Sequence, residues 1–422
     1  MTTAQKSAYR RQRAARKILR RDRHSSCAIA NLLVLTAIFL LPAIGYSQPT
    51  QPDDVQPRVV ARFNDSSGQT VYFSLDGARL LTVGGKQARV WNVRTTMPMT
   101  DVLQHDKPVT AGTLSDDGTL VLTAVDSIAI LWNADTGRQL ATLKHDAQVT
   151  DVAISRDGKQ LATSCDDKLA IIWDSATGRR LSELKHDNPV RTVTFSPDGG
   201  QLLTSTAENK ATKSRGDACV WDIEHSARLW SFSERFEYCG GRPVFSRDGS
   251  RIAIPGRSGY VCEAKTGKRL AQWTFNSGIK GINIADFTDD GSKLLFAGDD
   301  GSDSVDAAVR LLQITSEVST KPHLKQIRGI LPNCEVMAAA ISPDSRWIAA
   351  IPAGHPTSDS SGLWNTRTGK EVLAFFNDDD KASPSVPRER TVAFSRDGSY
   401  LAVGYAGTGD QVDSFTKLWR IK

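Results

Sequence analysis

A five-residue pattern that recurs eight times along the 422-residue chain limits its fold more than any other feature. The pattern is an apolar residue, Ser or Thr, a variable residue, Asp and Gly; only the seventh copy lacks the glycine, with Ser345 in its place. The copies are FSLDG at 73, LSDDG at 114, ISRDG at 154, FSPDG at 195, FSRDG at 245, FTDDG at 287, ISPDS at 341 and FSRDG at 394. Because Asp-Gly between apolar runs is a strong signal for a tight turn, each copy predicts a β-hairpin.

A second marker follows each of these aspartates by 14 to 23 residues, at the end of an apolar run. The eight markers are Trp91, Trp132, Trp173, Trp221, Cys262, Leu312, Trp364 and Trp419. Four of them lead into a second turn that ends in Thr-Gly, so each unit is predicted to hold four short strands. One such sheet cannot bury both of its faces. We therefore expect an all-β fold, a single eight-bladed β-propeller over residues 57–422.

The two ends of this region predict how the ring closes. The final segment, FTKLWRIK, supplies the third strand of the eighth blade, and RVVARF (58–63) lies before the first blade without another partner. We expect RVVARF to complete the last sheet as an N-terminal closing strand, since this pairing removes an exposed strand edge.

The segment LKHDAQVTDVAISRDGKQLATSCDDKLAIIWD (143–174) resembles a blade of the WD-repeat β-propeller family, in an exported, bacterial-type form. In that family a His, a Ser or Thr, an Asp and the Trp form a hydrogen-bonded network that holds a blade together. The resemblance implies three such structural networks: His105, Thr123, Asp126 and Trp132; His145, Thr163, Asp167 and Trp173; and His186, Thr204 and Trp221, with Asp217 as a candidate fourth member.

The two halves of the repeat array differ six residues after each Asp-Gly aspartate. Repeats one to four have Thr82, Thr123, Thr163 and Thr204 there, and repeats five to eight have Ile254, Phe296, Ala350 and Val403. The second half is therefore expected to hold its blades by hydrophobic contact instead of a polar network.

The net charge of +6 is concentrated at the amino end of the chain. Residues 1–23 contain nine Lys and Arg residues against Asp22, a net charge of +8, so residues 24–422 sum to −2. Nucleic-acid binding needs a basic surface, and this distribution argues against it.

An apolar stretch from Cys27 to Gly45 follows the basic run and resembles a secretory signal cleaved after Gly45 or Ser47. It is also just long enough to remain as a membrane anchor, so both interpretations stand. In either case we expect export: a periplasmic or secreted protein after cleavage, or an inner-membrane protein with its propeller outside the cytoplasm. The expected organisation is a signal or anchor at 1–47, a linker at 48–56 and a monomeric propeller at 57–422.

The cysteines and acidic loops give no clear chemistry. Five cysteines (165, 219, 239, 262 and 334) follow the leader, an odd number without C-x-x-C spacing, which favours buried side chains over a metal cluster and leaves a single disulfide open. The loop at 298–308 has calcium-type oxygen ligands, but it lacks the full calcium-loop pattern, so a solvated acidic loop is favoured.

The spacing of the markers predicts that insertions concentrate on one face, opposite the Asp-Gly turns, and insertions of this kind mark binding faces in repeat proteins. The mixed charges in blades six to eight favour a protein or peptide partner over a uniformly charged polymer. The candidate partner-binding residues are Asp378, Asp379, Asp380, Arg388, Glu389, Arg390, Asp410 and Asp413.

We therefore expect a non-enzymatic interaction scaffold without catalytic residues, metal or cofactor. The alternative is a quinoprotein-like exported dehydrogenase, or another propeller enzyme with a central site, because CEAKTGKRLAQW (262–273) is similar to repeats of such enzymes.

Overall fold

The computed structural model describes twelve ranges of the chain: 57–63, 70–207, 216–234, 241–256, 258–273, 281–299, 307–315, 323–332, 335–353, 361–375, 388–406 and 414–422. Within these ranges every named strand belongs to one of eight four-stranded antiparallel sheets. The protein is therefore the eight-bladed all-β propeller that the repeats predict. We number the strands of each blade a to d in sheet order, so that strand a lies innermost.

The first four blades follow the chain in order. Blade 1 contains Thr70–Phe73, Arg79–Gly84, Gln87–Asn92 and Leu103–Gln104, and blade 2 contains Ala111–Leu114, Leu120–Val125, Ile128–Asn133 and Gln139–Lys144. Blade 3 contains Val149–Ile154, Gln160–Cys165, Leu169–Asp174 and Arg180–Lys185, and blade 4 contains Val190–Phe195, Gln201–Thr206, Gly216–Asp222 and Ala227–Glu234.

The second four blades have the same strand order, but blade 8 takes its strand d from the start of the propeller. Blade 5 contains Val244–Phe245, Arg251–Ile254, Gly259–Glu263 and Arg269–Trp273, and blade 6 contains Gly281–Phe287, Lys293–Asp299, Ala307–Thr315 and His323–Pro332. Blade 7 contains Glu335–Ile341, Trp347–Ala353, Gly362–Asn365 and Glu371–Ala374, and blade 8 contains Arg388–Phe394, Tyr400–Ala406, Phe415–Arg420 and Arg58–Phe63.

The recurring Ser/Thr-x-Asp-Gly pattern forms the turn between strands a and b in every blade. In all eight copies the Ser or Thr hydroxyl donates to the Asp Oδ1 over 2.5–2.8 Å. The same hydroxyl oxygen accepts the backbone N–H five residues further on, over 2.9–3.1 Å. The residue after the Asp has a left-handed backbone, with φ of +63° to +73° at the seven glycines and +61° at Ser345. These requirements explain why the chain repeats the pattern.

The eight markers occupy one position of strand c and are all buried, with at most 8% of any side chain exposed. Each pairs with the strand b residue four positions after the Asp-Gly aspartate, as Leu161 pairs with Trp173 and Leu294 with Leu312. In the second half the positions that replace threonine (Ile254, Phe296, Ala350 and Val403) are fully buried. The hydrophobic packing expected there is thus observed.

The closing strand lies where the sequence predicts it. Arg58–Phe63 pairs antiparallel with Phe415–Arg420, from Arg58 opposite Arg420 to Phe63 opposite Thr416. Phe63 also packs on Trp91 of blade 1, with 4.5 Å between the ring centroids. The first strand therefore joins the last sheet to the first.

The leader and apolar stretch of residues 1–47, and most of the predicted linker, lie outside the described residues. Among the residues that the structure does describe, there is no helix long and apolar enough to cross a membrane. Cys165, Cys219 and Cys262 are buried and free, while Cys239 and Cys334 lie outside the described ranges.

Candidate functional site

His105 joins two of its three predicted partners. Its Nε2 lies 2.9 Å from the Thr123 hydroxyl oxygen, which also accepts the indole N–H of Trp132 over 2.9 Å. The predicted fourth member, Asp126, makes no hydrogen bond to His105. It occupies a two-residue turn with a left-handed backbone (φ +52°), and its carboxylate pairs with Lys107 at 2.5 Å. The Nδ1 of His105 consequently has no partner among the described residues.

His186 forms a complete chain in blade 4. Its Nε2 lies 2.9 Å from the Thr204 hydroxyl oxygen, which accepts the indole N–H of Trp221 over 3.1 Å, and its Nδ1 lies 3.0 Å from a backbone carbonyl. Asp217, the candidate fourth member, instead accepts the hydroxyl of Ser233. Burial lowers the pKa of His186 to about 4, so the imidazole is neutral at pH 7.

His145 departs furthest from the expected network. Trp173 donates to the Thr163 hydroxyl over 2.8 Å, but neither ring nitrogen of the buried His145 has a hydrogen-bond partner among the described residues. The imidazole instead lies beside the Cys165 thiol and the Asp167 carboxylate. Burial lowers the pKa of His145 to about 4.

The predicted partner-binding residues fall largely outside the described ranges, including Asp378, Asp379, Asp380, Asp410 and Asp413. Arg388, Glu389 and Arg390 begin strand a of blade 8, where Arg388 pairs with Ala406 and Glu389 with Tyr405. These three residues are therefore part of a strand and not of a loop.

A different set of residues converges on the central channel at the face that carries the Asp-Gly turns, here called the Asp-Gly face. The variable residue of every Ser/Thr-x-Asp-Gly copy lines one or both of two adjoining cavities, of about 630 and 290 Å³. These eight residues, here called the mouth residues, are Leu75, Asp116, Arg156, Pro197, Arg247, Asp289, Pro343 and Arg396. The uniform turns hold eight side chains of four types, one Leu, two Asp, three Arg and two Pro, in a ring.

The charged mouth residues are only partly compensated. Arg247 forms an ion pair with Asp289, and Arg156 lies 3.7 Å from Asp116. Arg396, which lines both cavities, forms no ion pair with the described residues. Burial raises the pKa of Asp116 even though two arginines oppose this. The mouth thus carries three arginines and two aspartates, and the guanidinium of Arg396 has no carboxylate partner in the part of the chain that the structure describes.

Below the mouth, Arg242 crosses the channel wall between blades. It lies before strand a of blade 5, and its guanidinium reaches Asp151 of blade 3 at 3.2 Å and the backbone carbonyl of Val193 in blade 4 at 2.9 Å. Asp151 in turn accepts the backbone N–H of Val193 over 3.0 Å. This contact, in which Asp151 is buried and Arg242 is partly exposed, links three consecutive blades on that side of the channel.

Two further titratable groups face the cavity. Burial raises the pKa of Tyr72 to about 12, so its phenol stays protonated. Burial also raises the pKa of Asp286 to about 7, although the backbone N–H of Ile341 donates to it over 3.3 Å. The channel wall therefore contains a carboxyl group that changes charge near neutral pH.

The sequence contained a signal for this site. The variable position stands between the Ser or Thr and the Asp of every copy, in the turn that follows the innermost strand a. Arg242 and Asp151 are harder to predict from the sequence. Each lies four residues before the Ser of its motif copy, but the contact between them forms only when the blades are stacked.

Comparisons with known proteins agree with this architecture. The profile of the NWD2 C-terminal beta-propeller family matches residues 100–289. The solved C-terminal WD40 domain of Sif2 superposes with a TM-score of 0.65 and 15% identity, over 87% of this chain and 99% of that one. The β-propeller domain of Myceliophteria thermophila Cps50 (Swd1) gives a TM-score of 0.53 and 16% identity, over 74% and 96%. The comparison with curated proteins gives no match.

Together with the repeats, these matches show that the chain is similar in fold to WD40 β-propellers. At 15–16% identity the two solved structures define the fold and not a particular partner.

Proposed function

We propose that this propeller is a non-enzymatic interaction platform, and that a protein or peptide partner docks at the channel mouth of the Asp-Gly face. One observation carries the proposal: the most variable position of an otherwise uniform turn motif lines the channel in all eight blades. A rigid ring that differs only in its side chains can distinguish partners without moving its backbone, which lowers the cost of binding.

Arg396 gives the proposed partner its chemistry. Its guanidinium lacks an ion pair among the described residues, while the other two mouth arginines already face aspartates. A carboxylate on the partner could bind Arg396 through two parallel hydrogen bonds, the geometry for which arginine is best suited. The partner is therefore proposed to present an acidic side chain or a chain terminus to the mouth.

The insertion-rich face remains a second proposed surface, because the spacing of the markers predicts that the longest insertions of blades six to eight, with Asp378 to Asp380 and Asp410, belong to that face. Export is likewise a proposal, supported by the basic run and the apolar stretch of residues 1–45. The matches to WD40 propellers give no support to the quinoprotein-like alternative.

Site-specific photocrosslinking separates the two surfaces. A photoreactive amino acid is placed at Pro197 or Pro343 in the mouth, at position 379 on the insertion-rich face, and at exposed Arg94 as a control, in the cell that makes the protein. The proposal predicts a discrete crosslinked partner from the two mouth positions, and loss of most of that product when Arg396→Gln is added. Arg94→Gln should leave it unchanged.

Crosslinking from position 379 alone would move the binding site to the insertion-rich face. The same partner captured from all positions, Arg94 included, would show non-specific contact and contradict a mouth site.

A further inference from the structure

His145, Cys165 and Asp167 form a group of three side chains whose ligand atoms all lie within 4.8 Å of one another. His145 and Cys165 are buried, with 7% and 0% of their surface exposed, and Asp167 is half-buried. It is the one group of this kind among the described ranges. His145 lies in the segment leading into blade 3, Cys165 ends strand b of that blade, and Asp167 lies in the turn between strands b and c.

Blade 3 differs from blades 2 and 4 at the positions that form this group of three side chains. Its b–c turn contains three residues, with Lys168 in a left-handed backbone (φ +72°), whereas the corresponding turn of blade 2 contains two. The extra residue brings the carboxylate of Asp167 next to the imidazole. The place of Cys165 is taken by Val125 in blade 2 and by Thr206 in blade 4, neither of which offers a thiolate.

His145 is also the one of the three network histidines whose Nε2 makes no bond to the strand b threonine. A buried imidazole with two unsatisfied nitrogens is costly, because each loses its hydrogen bonds to water without replacement. A ligand at this place would satisfy one nitrogen. The neighbouring groups, a thiol and a carboxylate, define what kind of ligand fits.

We propose that His145, Cys165 and Asp167 bind one zinc ion, with a fourth position open to water or an external ligand. Sulfur, nitrogen and oxygen donors together suit Zn²⁺, which commonly takes three protein ligands and one exchangeable ligand. With Zn–S near 2.3 Å and Zn–N near 2.0 Å, ligand atoms in a tetrahedral site lie about 3.5 Å apart, so the side chains must draw in by about 1 Å. On binding, the Cys165 thiol gives up its proton to solvent. The ion would join the segment before blade 3 to the b–c turn.

Cobalt(II) is the probe that tests this site in the full chain, because a cobalt–thiolate bond gives a near-ultraviolet charge-transfer band that carboxylates alone do not. We expect one cobalt ion per chain with this band, displaced by one equivalent of zinc. Cys165→Ser should abolish the band, and His145→Gln or Asp167→Asn should weaken cobalt binding at least tenfold. Cys219→Ser provides the matched control, since Cys219 is also buried and free but lies outside the group, and it should leave the band intact.

Asp167→Asn still tests the site if a substitution at buried His145 or Cys165 unfolds the protein. Asp167 is only half-buried, and the change to Asn removes a single ligand oxygen. Folding of each variant is checked by its thermal transition. A folded wild-type chain without the thiolate band, or a band that survives in Cys165→Ser, would overturn the proposal.

Discussion

The indole N–H of Trp173 donates to the Thr163 hydroxyl over 2.8 Å inside blade 3, whereas Trp364, at the same position of blade 7, shares its core cluster with Ala350, which takes the place of Thr163 and has no hydroxyl. Both tryptophans are buried, with 3% and 7% exposed. The pair therefore offers a direct measure of what the polar network adds to packing.

Trp173→Phe should destabilise the propeller by about 1 kcal/mol more than Trp364→Phe. Both substitutions remove the same ring volume, and only the first also removes a buried hydrogen bond. Denaturant unfolding of the two variants measures the difference. Equal losses would show that the Thr163 hydroxyl contributes nothing to stability.

The fold could be predicted from the sequence because one local turn specifies it. Ser155 and Asp157 satisfy each other and the adjacent backbone within six residues, so the signal is complete within each copy and repeats eight times. The closing strand was predictable for a related reason, since RVVARF is an apolar run that no other sheet needs.

The site was harder to predict because its contacts join residues far apart in the chain. Arg242 and Asp151 are 91 residues apart in sequence and meet only through blade stacking. The position of Asp126 was mispredicted for a local reason. A turn one residue shorter than that of blade 3 directs its carboxylate to Lys107, away from His105.

Phe63→Ala should destabilise the propeller by about 3–5 kcal/mol, the usual loss for a large buried aromatic side chain. Phe63 is 3% exposed and packs on Trp91, so the substitution weakens the contact that closes the ring. Val59→Ala, in the same strand but 51% exposed, should change stability by less than about 0.5 kcal/mol. The shift of the thermal midpoint distinguishes them, and equal shifts would mean that closure does not depend on Phe63.

Ser345→Gly should stabilise the propeller by about 0.5–1 kcal/mol. Ser345 holds a left-handed backbone, φ +61°, at the one motif copy without glycine, and a side chain there costs about 1–2 kcal/mol. Part of this gain is offset by the greater freedom of glycine in the unfolded chain. Gly199→Ser is the converse control, since Gly199 has φ +73° and open space around its α-carbon, and it should destabilise by a similar amount. A loss of stability in Ser345→Gly would show that the serine side chain makes a contact worth more than the strain.

Asp286→Asn should gain stability relative to the wild type as the pH rises from 5 to 8. Burial raises the pKa of Asp286 from 3.8 to about 7 in the folded protein, so between these values the folded state binds a proton that the unfolded state does not. The contribution of this group to stability is therefore present at low pH and is lost as the pH rises through 7, whereas asparagine does not titrate. Because Asp286 is half-buried at the channel wall and water screens it, we expect a change of about 1–2 kcal/mol in the difference between the two unfolding free energies.

Asp248→Asn is the control for this titration. Hydrogen bonding to Ser246 lowers the pKa of Asp248 to about 2, so its carboxyl group is ionised in both the folded and the unfolded state above pH 5. The difference in unfolding free energy between Asp248→Asn and the wild type should therefore stay constant with pH. Urea unfolding at pH 5, 6, 7 and 8 gives both differences, and a flat profile for Asp286→Asn would show that this carboxyl is already ionised in the folded channel.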